Sequence, residues 1–159
     1  MSPAPGALGR ADPVSTASGR YLLLEHTADL RVRMYAKTAR ELYSTAVQAL
    51  GAVLSEESPL PEPESVSRVR VSVVGVDPAE LLICLLNEAL YRLECTGELP
   101  VDFQATQLSE AALQGTLLLR SVPGPLARSL LAVKAATYHD LRWEVDAAGE
   151  VITEITLDL

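Results

Sequence analysis

Asp29-Leu30-Arg31-Val32-Arg33-Met34-Tyr35-Ala36, followed directly by Lys37-Thr38-Ala39-Arg40-Glu41-Leu42, decides the fold. Leu30, Val32, Met34 and Ala36 alternate with Arg31, Arg33 and Tyr35. A period of two marks a strand with one face on a core and the other in water. Thr38 and Glu41 then stand at capping-box spacing. Leu42, Ala46, Ala49, Leu50 and Val53 recur at helical spacing behind them, which predicts a helix from about Ala39 to Leu54. Upstream, Tyr21-Leu22-Leu23-Leu24-Glu25 reads as a short strand, broken by His26-Thr27-Ala28-Asp29.

The pattern continues downstream. Ser55 to Ser67 holds three prolines among four glutamates and reads as an extended acidic loop. Arg68 to Gly75 alternates again, with Val69, Val71 and Val73 on one face. Asp77-Pro78-Ala79-Glu80 has a capping aspartate, proline at the first helical position and glutamate at the third. Leu81, Leu82, Leu85, Leu86, Ala89 and Leu90 form the wide stripe of a more buried helix, and Gly97 suits its end. After Pro100 the texture is that of strands: a hairpin of Val101–Leu108 with Ala112–Val122, a Pro123-Gly124-Pro125 loop, then Leu130–Tyr138, Leu141–Val145 and Val151–Leu157. About eight strands and two helices, with the helices early, predict an α+β two-layer sandwich with a mainly antiparallel sheet.

At 159 residues the chain suits one domain. Residues 1–19, rich in Pro, Ala, Ser and Gly, read as a disordered tail, and 20–159 as the folded domain. Only 4% of the residues are aromatic, so the core must come from Leu, Val, Ala and Ile. A net charge of −8 opposes phosphate backbones and disfavours direct nucleic-acid binding; a cation or a basic partner fits better. No apolar run reaches the roughly 18 residues of a membrane span, and the N-terminus has no signal-peptide core. Cys84 and Cys95 have neither CxxC nor zinc-ligand spacing and read as buried or half-buried thiols in a reducing, cytoplasmic setting.

Chemistry gathers at the two ends of the domain. Asp29 follows the first strand, and Asp158 precedes Leu159 with its terminal carboxylate. If the fold joins them, three anionic oxygen groups meet, and such a cluster calls for a hard cation. His26, with Thr27 beside it, is either a ligand or base or a residue that holds its turn by hydrogen bonds. His139 ends a strand and reads foremost as a packing histidine. Lys134, inside Ala132–Ala136, is either a solvated outer-face lysine or a cation serving the acidic cluster. Asn87-Glu88 inside an apolar stripe reads as a bridge to neighbouring backbone. There is no phosphate loop, GxSxG or HExxH.

Taken together, Glu25-His26-Thr27-Ala28-Asp29, Leu81-Leu82 with Leu86-Asn87-Glu88, Val133-Lys134-Ala135-Ala136-Thr137-Tyr138-His139 and Leu157-Asp158-Leu159 resemble the archease family in order and spacing, from about Gly19 to Leu159. The chain departs from the family pattern at Ala136, where a second aliphatic residue is usual. It departs also at Cys84 and Leu85, where an acidic residue and often a tryptophan stand, and at Leu159, usually isoleucine or valine.

The resemblance implies a non-catalytic accessory protein for the GTP-dependent RNA ligase of tRNA splicing and RNA repair, which joins 3′-phosphate or 2′,3′-cyclic-phosphate ends to 5′-hydroxyl ends. It implies that the protein promotes guanylylation of the ligase's active-site histidine and further turnovers. It also implies a divalent-metal site, calcium foremost with magnesium or manganese as alternatives, on Asp29, Asp158 and Leu159. Two other classes compete: a chaperone-like modulator of RNA-processing enzymes, and a metal-dependent hydrolase using Asp29, Asp158 and His26. The hydrolase lacks a base-plus-orienter pattern.

Overall fold

A computed structural model describes residues 12–24 and 29–159. The strands are β1 (Val14–Ser15), β2 (Arg20–Leu24), β3 (Asp29–Ala36), β4 (Val66–Val74), β5 (Leu99–Leu108), β6 (Ala112–Arg120), β7 (Ala135–Val145) and β8 (Val151–Asp158). The helices are α1 (Ala39–Leu54), α2 (Pro78–Thr96) and a single turn, α3 (Gly124–Ala127). The strands divide into a five-stranded sheet, β1-β2-β3-β8-β7, and a three-stranded sheet, β4-β6-β5, all antiparallel. The α+β class is as the sequence predicts, with its eight strands in two sheets.

Local signals explain the helices. The Thr38 hydroxyl accepts from Glu41 N–H at 3.1 Å, and the Asp77 carboxylate accepts from Glu80 N–H at 2.8 Å. Gly97 closes α2 in the left-handed region, φ 73°, where glycine has no side-chain penalty. Gly51 serves a close approach: a Cβ there would lie 2.4 Å from Pro100 O, so α1 packs tightly on β5 only with glycine at that position. Both helices touch both sheets, and one core cluster joins all four elements. Its largest fully buried side chains include Tyr21, Tyr43 and Phe103, so three of the seven aromatics sit at its centre beside the leucines.

Three expectations are corrected. Residues 12–19 belong to the packed structure: β1 pairs with β2, Val14 opposite Tyr21, and Ser18 N–H donates to Gln48. Residues 1–11 of the expected tail, and Glu25, His26, Thr27 and Ala28, lie outside the described residues. Of the two strands expected at Leu130–Tyr138 and Leu141–Val145, residues 130–134 are not strand, and the rest is one strand, β7, with a register shift between Thr137 and Arg142. Asp140, at φ 53°, turns the chain there, a conformation Asp tolerates better than most residues. Cys84 is half-buried as expected, but Cys95 is exposed near the end of α2.

Candidate functional site

The register of β3 with β8 places Asp29 opposite Asp158, Arg31 opposite Thr156, Arg33 opposite Glu154 and Tyr35 opposite Ile152. The intervening residues Leu30, Val32, Met34 and Ala36 face the core, as do Val151, Thr153, Ile155 and Leu157. Strand alternation therefore puts both aspartates on the outer face, at the end of the ladder. Cα atoms of such a rung stand about 4.5–5.5 Å apart, which brings two carboxylates within reach of one ion. Ala135 of β7 lies on the other side of Asp158, and the Lys134 N–H donates to Asp158 O at 2.8 Å. Leu159 follows, 39% exposed.

Ion pairs fill the rest of this face. Glu154, 9% exposed at its side chain, accepts from Arg31 at 2.8 Å and Arg33 at 3.0 Å, with Arg142 at 3.7 Å. Arg31 also reaches Asp140 at 3.4 Å, and His139 Nε2 lies 3.2 Å from the same carboxylate. The Arg33 guanidinium is held above its ordinary range by hydrogen bonding to Tyr35 and then to Glu154, against the opposing effect of burial. Arg20 lies 4.2 Å from the Tyr35 ring centroid and pairs with Glu150 at 2.9 Å.

The residues singled out in the sequence separate into groups. Asp29, Asp158 and Leu159 meet at one end of the sheet. Lys134 stands beside them through its main chain, and its residue is exposed. His139 does not join the rung: it sits in the β7 irregularity with Asp140, and its carbonyl accepts from the Thr156 hydroxyl at 2.9 Å. His26 and Thr27 lie outside the described residues. Asn87 bridges backbone as its position suggested, donating to Ala136 O at 3.0 Å and accepting from Ala136 N–H at 2.8 Å. A cleft of about 610 Å³ opens beside it, between α2 and residues 131–135, with Tyr91, Val133 and Lys134 in its lining.

Sequence reasoning missed Glu154, Arg31 and Asp140. The signal was present: alternation along Val151–Asp158 puts Glu154 two residues from Thr156 and four from Asp158 on one face. Its arginine partners appear only once β3 is known to lie beside β8.

The donor set suits a hard cation. All candidate ligands are oxygens, two carboxylates share a rung where like charges repel, and Oδ1 of Asp29 is buried from solvent. Among the described residues no three His, Cys, Asp or Glu side chains converge. An ion here would therefore need oxygens beyond these two side chains, first of all the Leu159 carboxylate.

Fold and site define a small α+β protein with an anionic, oxygen-lined sheet end. The model of the Archease protein family (MTH1598/TM1083) matches residues 21–159, and the chain belongs to that family. It is 32% identical over 139 residues to the protein archease of Methanopyrus kandleri, covering 86% of this chain and 96% of that one. It is 27% identical over 138 residues to that of Pyrococcus furiosus, covering 85% and 95%. The fold is similar to the solution structure of Methanobacterium thermoautotrophicum protein 1598, with TM-score 0.66 and 22% identity over 87% of this chain and 98% of that one.

Proposed function

We propose that this protein is a non-catalytic activator of a GTP-dependent RNA ligase, one that joins 3′-phosphate or 2′,3′-cyclic-phosphate ends to 5′-hydroxyl ends. In this reading it promotes guanylylation of the ligase and its return to further rounds. Membership of the archease family supports the class. The observation that carries the site is the rung of half-buried Asp29 opposite exposed Asp158 at the end of the sheet.

Asp29, Asp158 and the Leu159 carboxylate are the residues that would hold a divalent cation, calcium foremost. A bound cation supplies neutralisation of phosphate charge, which phosphoryl transfer from GTP requires. The chain's own part is positional. β3 and β8 fix the two carboxylates on one rigid ladder. The Lys134 N–H fixes the Asp158 carbonyl, and the ion pairs on Glu154 hold the neighbouring strand positions. The sheet end thereby presents an incompletely saturated oxygen cluster to a partner pocket, and the net charge of −8 suits contact with protein better than with RNA. Among the described residues no helix is long and apolar enough to cross a membrane.

The test is guanylylation of the cognate ligase with GTP and metal, with and without this protein, beside Asp29→Ala and Asp158→Ala. The reading predicts stimulation by the wild type and none by either variant. Stimulation by both variants would remove the acidic rung from the account. Turnover of GTP or an RNA end by the protein alone would favour the hydrolase. Broad holdase activity independent of both aspartates would favour a chaperone.

A further inference from the structure

β4 is an edge strand: only β6 lies beside it in the three-stranded sheet. Their register runs unbroken from Val66 opposite Arg120 to Val74 opposite Ala112. Just past the two ends of β4, Ser121 N–H donates to Ser65 O and Gly75 N–H donates to Ala111 O. Odd-numbered residues therefore turn their backbone groups toward β6. Successive strand residues turn them to opposite sides, so Val66, Arg68, Arg70, Ser72 and Val74 aim theirs away from the sheet. The Cys84 thiol, 3.9 Å from Val74 O, approaches from that open side. The side chains of these same five residues are exposed, whereas Val69 and Val73 are half-buried and Val71 is buried.

Edge strands invite pairing, and proteins blunt them with cover, bulges or charge. β4 has no bulge, and its charges are Arg68 and Arg70, two residues apart on one face. Among the described residues neither guanidinium has an ion-pair or hydrogen-bond partner, in contrast to Arg20, Arg31, Arg33 and Arg142 on the other sheet. Antiparallel pairing with a second copy is opposed. The alignment of greatest overlap sets Arg70 against Arg70; of the two next, the one centred on Val69 sets Arg68 against Arg70, and the one centred on Val71 sets Arg70 against Ser72, with the two Arg70 side chains only diagonal to each other. Like charges directly opposite destabilise a ladder, so two of these three alignments are disfavoured. An acidic strand meets no such repulsion.

We propose that the free edge of β4 docks an extended acidic segment of a partner protein, added as a further strand. Asp or Glu at alternate positions face Arg68 and Arg70, and apolar residues between them extend the side formed by Val69 and Val73. Main-chain bonds to Arg68, Arg70 and Ser72 supply affinity, and the two arginines supply selectivity. This surface is built from β4 alone and does not depend on the acidic rung.

The test titrates a labelled peptide, Ser-Glu-Val-Glu-Val-Glu-Ser, into the full chain, with the lysine-for-glutamate peptide as control. The proposal predicts that the acidic peptide binds, more weakly as salt rises, and that the lysine peptide does not. Amide exchange should slow at Arg68, Arg70 and Ser72, and stay unchanged at Val69 and Val71. Arg70→Pro removes one outward N–H while sparing the β6 ladder, and should weaken binding at least about tenfold. The double variant Arg68→Glu/Arg70→Glu keeps every backbone donor and should switch preference to the lysine peptide. No binding by the wild type, undiminished binding by Arg70→Pro, or an unswitched preference in the double variant would overturn the proposal. So would a dimer of this chain that protects the same three amides.

Discussion

Two rungs of the β3–β8 ladder, on the same outer face, differ in one respect. Arg33 stands opposite Glu154, and Asp29 stands opposite Asp158. The first rung joins unlike charges and is reinforced by Arg31 and Arg142, so a nearly buried carboxylate is satisfied from three sides. The second joins like charges at the end of the ladder. A sheet selected for stability alone would carry the first arrangement throughout, since opposed like charges cost free energy. The two rungs divide one strand pair: the interior rung satisfies its charges across the sheet, and the terminal rung sets like charges opposite each other.

Breaking the interior rung should have the largest effect. Glu154→Gln keeps the volume but leaves Arg31 and Arg33 without their shared anion. Removing one partner of a buried pair costs about 3–5 kcal/mol; because the arginines are partly exposed, about 2–3 kcal/mol is expected here. Urea titration reads this directly, and a loss below about 1 kcal/mol would make the two rungs energetically alike. Next comes Asn87→Ala, which takes both hydrogen bonds from Ala136 on β7. A loss of about 2 kcal/mol is expected, with faster exchange of the Ala136 amide.

Tyr43→Phe removes the hydroxyl bond to Pro78 O, 2.9 Å, that ties α1 to the start of α2, and should cost about 1 kcal/mol at neutral pH. Burial pushes the Tyr43 phenol well above its ordinary value of 10.0. The folded state thus keeps a proton that the unfolded chain releases first. The associated stability is full below about pH 10 and falls as pH rises above it. Melting profiles of the wild type should decline on that alkaline limb more steeply than those of Tyr43→Phe.

The smallest effect has the opposite sign. In metal-free protein Asp158→Asn relieves the opposed charges and should raise stability by about 0.5 kcal/mol. A fall instead would mean that the rung is already balanced from within the chain.

The local elements were legible because their signals are local. The alternation of Leu30–Ala36, the Thr38/Glu41 box, and the Asp77-Pro78 start with the Gly97 stop each act within a few residues. What escaped depends on distant neighbours. β1 gains its place from pairing with β2 and from Val14 packing on the core. β7 looked like two strands because Tyr138, His139 and Asp140 interrupt its alternation, and only the continuous β8 beside it shows one strand with an irregularity. Asp29 and Asp158 were legible as candidates from position and family pattern, but their rung is a fact of register. Glu154 stayed hidden because a glutamate in a strand is uninformative until the arginines opposite are known.

The most direct test of the terminal rung is a calcium titration of the metal-free protein, followed residue by residue through its backbone amide signals. The account predicts saturable shifts centred on Asp29 and Asp158 with their neighbours Lys134 and Leu159, lost in Asp158→Asn, while Arg33 and Glu154 stay unmoved. Absence of binding at millimolar calcium, or equal binding by Asp158→Asn, would contradict it.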